Sequence, residues 1–153
     1  VMFSGSGVYP LVIAKNSKCK EVYGIEINPI AHKYGLENVK KNKLENKIKL
    51  FFGDVKKIMP KLNKKFNRIL MPLPKGGEDF LNLTLKYIKN KGIVHFYDFL
   101  HEDEFYKAEE KVKKACEKLN RKYRILKTVK CGQYAPGFFR VCVDFKINYK
   151  RNT

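Results

Sequence analysis

The run Phe3-Ser4-Gly5-Ser6-Gly7 sets two glycines directly behind a short apolar stub, Val1–Phe3. Glycine lets a backbone take positive φ and lie close against a ligand. Glu26 follows about 20 residues later, after the next apolar segment, and an acid at that distance behind a glycine loop takes ribose hydroxyls in mononucleotide-binding folds. The pair points to an adenosine-containing ligand. The loop is shorter than Gly-x-Gly-x-x-Gly, Tyr9-Pro10 follows at once, and no Gly-Lys-Ser/Thr run exists, so a P-loop is excluded. No second set of phosphate donors is evident. Adenosine without pyrophosphate fits best, which points to S-adenosylmethionine. Further on, Gly53-Asp54-Val55 puts a carboxylate near the adenine edge, where it can accept from the exocyclic amine. Met71-Pro72-Leu73-Pro74-Lys75 forms a rigid loop. Its prolines carry no N–H, so its carbonyls are expected to be free to accept from a planar substrate or to position a methyl-sulfonium.

The elements that hold these residues alternate. The pattern predicts a helix over Val8–Asn16, a strand over Glu21–Ile25, a helix over Pro29–Asn42 capped by Asn28, and a strand over Lys47–Phe52. A short helical turn follows over Val55–Leu62, then a strand over Phe66–Met71, a helix over Glu78–Lys89, a turn at Asn90-Lys91-Gly92 and a strand over Ile93–Phe99. A charged helix over Asp103–Asn120 precedes two β segments, Lys122–Lys130 and Phe138–Asn148, joined by a loop at Gly132–Gly137. Strand–helix alternation argues an α/β, doubly wound, mostly parallel sheet, and the last two strands an antiparallel hairpin at one edge. In such sheets ligands bind outside the carboxyl ends of the strands. That rule places all the loops named above, and favours Tyr97 for substrate contact, with core packing as the alternative.

Composition sets the partner. Across 153 residues, 33 Lys+Arg face 15 Asp+Glu, a formal net charge of +18, while 44% apolar and 13% aromatic residues suffice for a packed core. The length fits one domain. Self-repulsion on that scale calls for a polyanion, nucleic acid before an anionic membrane surface. The basic residues gather between Lys33 and Lys65 and between Lys107 and Lys130, and RNA phosphate contact explains that excess better than solvated helix faces. The four cysteines, Cys19, Cys116, Cys131 and Cys142, include no Cys-x-x-Cys pair; buried free thiols and no metal site are expected. His95, within a strand, reads as a satisfied, partly buried histidine, and His32 and His101 as surface residues. No apolar run is long enough to span a bilayer, and the chain is read as a cytoplasmic monomer.

Taken in order, Phe3-Ser4-Gly5-Ser6-Gly7, Tyr23-Gly24-Ile25-Glu26-Ile27-Asn28-Pro29, Phe51-Phe52-Gly53-Asp54-Val55, the Met71–Lys75 loop, Gly92-Ile93-Val94-His95-Phe96-Tyr97 and Tyr134-Ala135-Pro136-Gly137 resemble the archaeal and eukaryotic tRNA (guanine-37-N1) methyltransferases over essentially the whole chain. The resemblance implies a class I methyltransferase sheet, a Rossmann-like fold, with methyl transfer from S-adenosylmethionine to N1 of guanosine-37 in tRNA. Phe3, Ser4, Gly5 and Gly7 would line the methionine side, Glu26 would hold the ribose, Ile27 would pack on the adenine, and Asp54 and Val55 would contact it. Met71 would complete the cofactor contacts, and Pro72, Pro74 and Tyr97 would face the target base. Most of the family carries Asn where this chain has Pro72. An archaeal subgroup shares Pro-Leu-Pro-Lys and also methylates a tricyclic wyosine intermediate at a ring carbon, which implies room for a second activity. The glutamate and arginine that the family credits with proton removal and O6 stabilisation lie upstream of its first strand. A catalytic domain cut from a longer protein, without its N-terminal tRNA-recognition region, is therefore expected, one that binds the cofactor but methylates weakly on its own. Two rival functions stand beside this one: an aminocarboxypropyl transferase of the wyosine pathway, against which Leu73-Pro74-Lys75 speaks, and a non-catalytic RNA-binding module with a relic cofactor pocket.

Overall fold

The computed structural model describes residues 1–73 and 76–148. Its order is α1 (Val8–Asn16), β1 (Val22–Glu26), α2 (Pro29–Lys41), β2 (Ile48–Phe52), α3 (Val55–Lys61), β3 (Phe66–Met71), a 3-10 turn (Gly77–Phe80), α4 (Leu81–Tyr87), β4 (Ile88–His101), α5 (Tyr106–Lys118), β5 (Tyr123–Ala135) and β6 (Phe138–Ile147). Where one domain is expected from length, the chain's contacts gather into two compact units, Val1–Asn63 and Lys64–Thr153.

In the first unit β1 and β2 pair in parallel, Glu26 opposite Phe52. The Val1–Phe3 stub is not a regular strand, yet it runs beside β1: Ile25 N donates to Val1 O at 3.1 Å and Ser4 N to Ile25 O at 2.9 Å. Three residues are too few for a full ladder. Ala14, Val22, Val39 and Ile48 form the core, with Leu11, Ile13, Leu44 and Leu50 packed against it. The α2 start is as the sequence dictates. Asn28 Oδ1 accepts from Ile30 N at 2.9 Å and Ala31 N at 3.1 Å, and Pro29 occupies the first position, where a missing N–H costs nothing.

The second unit is a four-stranded sheet in the order β3-β4-β6-β5. β3 and β4 are parallel, while β6 runs antiparallel to both β4 and β5. The closing hairpin thus enters beside β4 and leaves β5 at the edge. α5 packs on this sheet through Ala108, Val112 and Cys116, all fully buried. Burial pushes the Cys116 thiol up to about 12, so it stays a neutral, inert filler. All four cysteines are free thiols; Cys131, expected inside, is exposed.

The boundaries around β4 and β5 differ from the periodic pattern. The helix expected to reach Lys89 stops at Tyr87, because Ile88 already pairs with Phe66. The expected turn at residues 90–92 survives as an irregularity at the start of β4: Lys91 has φ +63°, and a Cβ on Gly92 would lie 2.8 Å from Lys89 O. The loop expected over Gly132–Gly137 shrinks to a tight turn at Gly137 (φ +73°). β5 absorbs its irregular sequence in register shifts between Ile125/Lys127, Lys130/Gly132 and Gln133/Ala135.

Gly24 on β1 faces a filled space: a Cβ there would lie 2.5 Å from Leu50 Cδ2 and 2.9 Å from Ser4 Cβ. Gly24→Ala is expected to lower unfolding free energy by about 1–3 kcal/mol through overpacking, measured by urea titration.

Candidate active site

The glycine loop is held by one carboxylate. Gly5 (φ +52°) and Gly7 (φ +85°) both adopt the left-handed backbone region, where an L side chain is strained. Gly5 N donates to Glu26 Oε2 at 2.7 Å, and Asn28 N donates to Glu26 Oε1 at 2.8 Å. The backbone carbonyl of Glu26 accepts from Gly53 N at 2.8 Å. One residue therefore ties together the loops that follow Val1–Phe3, β1 and β2. Asn38 of α2 adds a bond from Nδ2 to Ser6 O at 3.0 Å. Gly7 approaches α2 so closely that its Cβ would lie 3.4 Å from Gly35 Cα.

Of the cofactor residues expected from sequence, Ser4, Gly5, Gly7 and Glu26 are thus brought into one hydrogen-bonded unit. Phe3 is half-buried beside them. Asp54 caps α3, its Oδ1 accepting from Lys56 N at 2.8 Å, and its carboxylate retains acceptor capacity. Ile27, at the carboxyl end of β1, is 63% exposed and offers an apolar face. Val55 differs in that its side chain is buried. Two features fit an adenosine-bearing cofactor. Ser4 Oγ is buried with no hydrogen-bond partner, an expense the fold tolerates where a ligand supplies one. A Cβ on Gly5 would meet nothing within 4 Å, so the loop faces open space.

In the second unit the loop after β3 departs from expectation. Leu73 N donates to Met71 O at 2.8 Å, closing a three-residue turn around Pro72. The Met71 carbonyl, expected to lack an amide donor, already has one. Pro72 supplies none, but the residue after it does. The Met71 side chain is fully buried, and its sulfur lies 3.2 Å from Thr84 Oγ1. Pro72 is half-buried, and Pro74 lies outside the described residues. Tyr97, half-buried on β4, stands opposite Cys142 of β6.

The sequence did not disclose a partly buried polar network on the same sheet. His95 Nδ1 lies 2.5 Å from Asp144 Oδ1, and Arg68 NH1 lies 3.0 Å from His95 Nε2. A guanidinium only donates, so Nε2 accepts and Nδ1 carries the proton given to Asp144. Cys142 Sγ donates to the same Asp144 oxygen at 3.3 Å, and Lys127 Nζ stands 3.6 Å from Asp144 Oδ2. Burial, then the charge of Asp144, pushes the Cys142 thiol far up. His95, Cys142 and Asp144 bring nitrogen, sulfur and oxygen donors within 4.8 Å of one another. Two flanking cations and a protonated thiol oppose a dication there. The satisfied histidine anticipated from the strand pattern is the reading the geometry supports. His32, expected on the surface, instead has Nδ1 buried, its ring tilted against Phe52 at 5.8 Å.

Residues 1–126 match the family model described as the TRM5/TYW2 methyltransferase domain. The chain belongs to that family. As a TRM5/TYW2 methyltransferase domain it has the class I methyltransferase fold, α/β with parallel pairs and a closing antiparallel hairpin. It is 35% identical, over 95% of its length and 57% of the relative's, to the "tRNA(Phe) (4-demethylwyosine(37)-C(7)) aminocarboxypropyltransferase" of Methanocaldococcus jannaschii. It is also 35% identical, over 97% of its length and 40% of the relative's, to the "tRNA (guanine(37)-N(1))-methyltransferase Trm5b" of the same organism. Among solved structures, M. jannaschii TYW2 in complex with AdoMet matches with a TM-score of 0.88 at 33% identity, covering 97% of this chain and 67% of that one. The chain spans about half the length of the curated relatives it matches.

Within this family domain the Glu26 clamp is the feature most open to test. Glu26→Ala removes a charged acceptor from two backbone amides. It is expected to cost about 2–3 kcal/mol of stability in urea unfolding, with Asp54→Ala costing about 1 kcal/mol as the loss of a helix cap.

Proposed function

We propose that this chain is the catalytic domain of an S-adenosylmethionine-dependent tRNA methyltransferase acting at N1 of guanosine-37. The observation that carries it is the glycine loop clamped on Glu26, open in front of Gly5 and lined by the unpartnered Ser4 hydroxyl, in a chain of the TRM5/TYW2 family. The family match runs through both compact units, which supports reading them as one catalytic domain.

When bound, S-adenosylmethionine supplies an electrophilic methyl group. The chain's own residues have separate tasks. Gly5 and Gly7 let the backbone lie against the methionine portion, with Phe3 beside them and the Ser4 hydroxyl able to bond it. Each Glu26 oxygen has one lone pair engaged by an amide and another left for ribose hydroxyls. Ile27 covers the adenine, and Asp54 accepts from its amine. Pro72, Pro74 and Tyr97 shape the side facing the base, with Met71 fixing the start of that loop rather than offering a free carbonyl. Methylation at N1 of guanine releases the N1 proton, so a base must take it and the charge on O6 must be stabilised. The net charge of +18 suits a polyanion such as tRNA, and both curated relatives are named for acting at tRNA position 37. We read the protein as a monomer that acts in the cytoplasm without a metal. No helix among the described residues is long and apolar enough to cross a membrane.

The wyosine-pathway relative supports a second reading, transfer of the aminocarboxypropyl group of the same cofactor. The two are separated by incubating the chain and S-adenosylmethionine with transcripts bearing guanosine-37 and with tRNA carrying the tricyclic intermediate. Mass spectrometry is expected to show one added methyl; the heavier aminocarboxypropyl chain would favour the second reading. If calorimetry finds no binding of S-adenosylmethionine or its demethylated product, both enzyme readings fall. Glu26→Ala is expected to weaken cofactor binding at least about tenfold, the loss of one or two charged hydrogen bonds. Affinity for tRNA is expected to fall about a thousandfold between 50 and 200 mM salt, as for six or more phosphate contacts.

A further inference from the structure

The loop after β3 ends at the 3-10 turn Gly77–Phe80, and that turn is fastened from two sides. Gly77 lies so close to β4 that a Cβ on it would stand 3.2 Å from the Phe96 ring and 3.5 Å from Tyr97 O. The next residue, Glu78, reaches α5: its Oε1 lies 3.2 Å from Lys111 Nζ. The same ammonium lies 2.7 Å from Oδ2 of Asp98, the residue after Tyr97. Asp98 is 5% exposed, and its other oxygen accepts from Phe99 N at 2.9 Å. Glu78 Oε2 is shielded from solvent with no hydrogen-bond partner. One cation on α5 therefore bridges a carboxylate on the loop and a buried carboxylate on β4.

We propose that Lys111 is a positioning residue that, through Glu78 and Asp98, locks the 3-10 turn Gly77–Phe80 to the strand carrying Tyr97. This rests on the reading that Pro72 and Tyr97 face the target base. A half-buried ion cluster contributes little net stability, because desolvation offsets the attraction, but removing one member leaves charge unpaired and geometry unfixed. Two carboxylates on one ammonium hold a loop in a single arrangement where one pair would let it pivot. Burial opposes the charge on Lys111, but bonding to Asp98 and then Glu78 outweighs it and raises the lysine above its ordinary range. Burial likewise opposes the charge on Glu78, while its own backbone N–H and Lys111 outweigh it and hold the carboxyl low. Glu78 thus lends stability that is lost only as pH falls through its lowered pKa, and Lys111 stability lost only as pH rises through its raised one. The bridge stands throughout neutral pH.

The test compares the wild-type chain with Lys111→Met, Lys111→Arg and Glu78→Gln, each checked for folding by circular dichroism. Lys111→Met is expected to lower kcat for tRNA about 10–100-fold, the cost of a displacement near 1 Å at a reacting centre. The KM for S-adenosylmethionine should hold within about twofold, and Lys111→Arg should recover most of the rate, since it restores a cation. Glu78→Gln, on a more exposed side chain, should shift kcat the same way by less. Amide hydrogen exchange of the 76–81 segment should rise in Lys111→Met while that of β1 and α2 stays constant. An unchanged kcat, or a rise in cofactor KM matching the loss of rate, overturns the proposal, and so does unchanged exchange at 76–81. If Lys111→Met fails to fold, Glu78→Gln decides by the same readouts. If the wild-type chain transfers nothing to RNA, the exchange comparison at 76–81 decides the bridge, while calorimetry with S-adenosylmethionine decides the functional reading.

Discussion

A backbone held at positive φ beside a ligand cannot also hydrogen-bond as a helix or a strand, so its amides need acceptors from elsewhere. Glu26 meets that need. Its carboxylate takes Gly5 N and Asn28 N, and its carbonyl takes Gly53 N, so three loops at one edge of the first unit share a single anchor. Gly7 lies close against Gly35, and the Asn28 and Asp54 caps start α2 and α3 directly behind the loops this anchor joins. A carboxylate suits the position better than a neutral acceptor: charged hydrogen bonds are stronger, and each oxygen retains a lone pair for a second donor. The loop can then be rigid before any ligand arrives and still have acceptors to offer it.

Acids are scarce in this chain, 15 against 33 bases, and many of the placed ones hold structure. In the second unit Asp98 and Glu78 share Lys111, Asp144 serves His95, Cys142 and Lys127, and Glu109 accepts from Thr128. Each such carboxylate fixes two elements to one another. The cations they engage are few beside the total, and the uncompensated remainder is available to a polyanion. Basicity and internal order thus do not compete, because the acids sit where geometry must be fixed and the surplus lysines where it need not be.

Local chemistry was legible in the sequence, and long-range pairing was not. Asn28 before Pro29 announced the start of α2, and the glycine loop and Glu26, which the structure joins, stood out by type and spacing because backbone freedom and carboxylate chemistry are local requirements. The turn around Pro72 was missed for a physical reason: proline's lack of a donor says nothing about the donor on Leu73, one residue on. The burial of the Val55 side chain was not legible, because a residue at the start of α3 can face either the core or solvent. Lys111 looked like one more lysine on a charged helix. Its partners lie 13 and 33 residues away, and only the packing of α5 on β4 brings them within reach. His95 and Asp144 are likewise neighbours only because β6 enters the sheet beside β4.

That insertion of β6 has a further consequence for the second unit. Had β5 followed β4 directly, His95 and Tyr97 would face an edge strand of exposed residues, with Lys127, Lys130 and Gln133 among them. With β6 between, they face Asp144 and Cys142, both buried. A buried acid opposite His95 fixes the ring's tautomer and orientation, and the ring in turn orients Arg68 on β3. The polar network therefore runs across β3, β4 and β6, the three strands whose spacing sets where the Pro72 loop leaves the sheet. Rigidity of that kind matters most where a loop has no regular hydrogen bonds of its own. Residues 72 and 73 lie in no helix or strand; their position is inherited from the strand behind them, through the bond from Leu73 N to Met71 O.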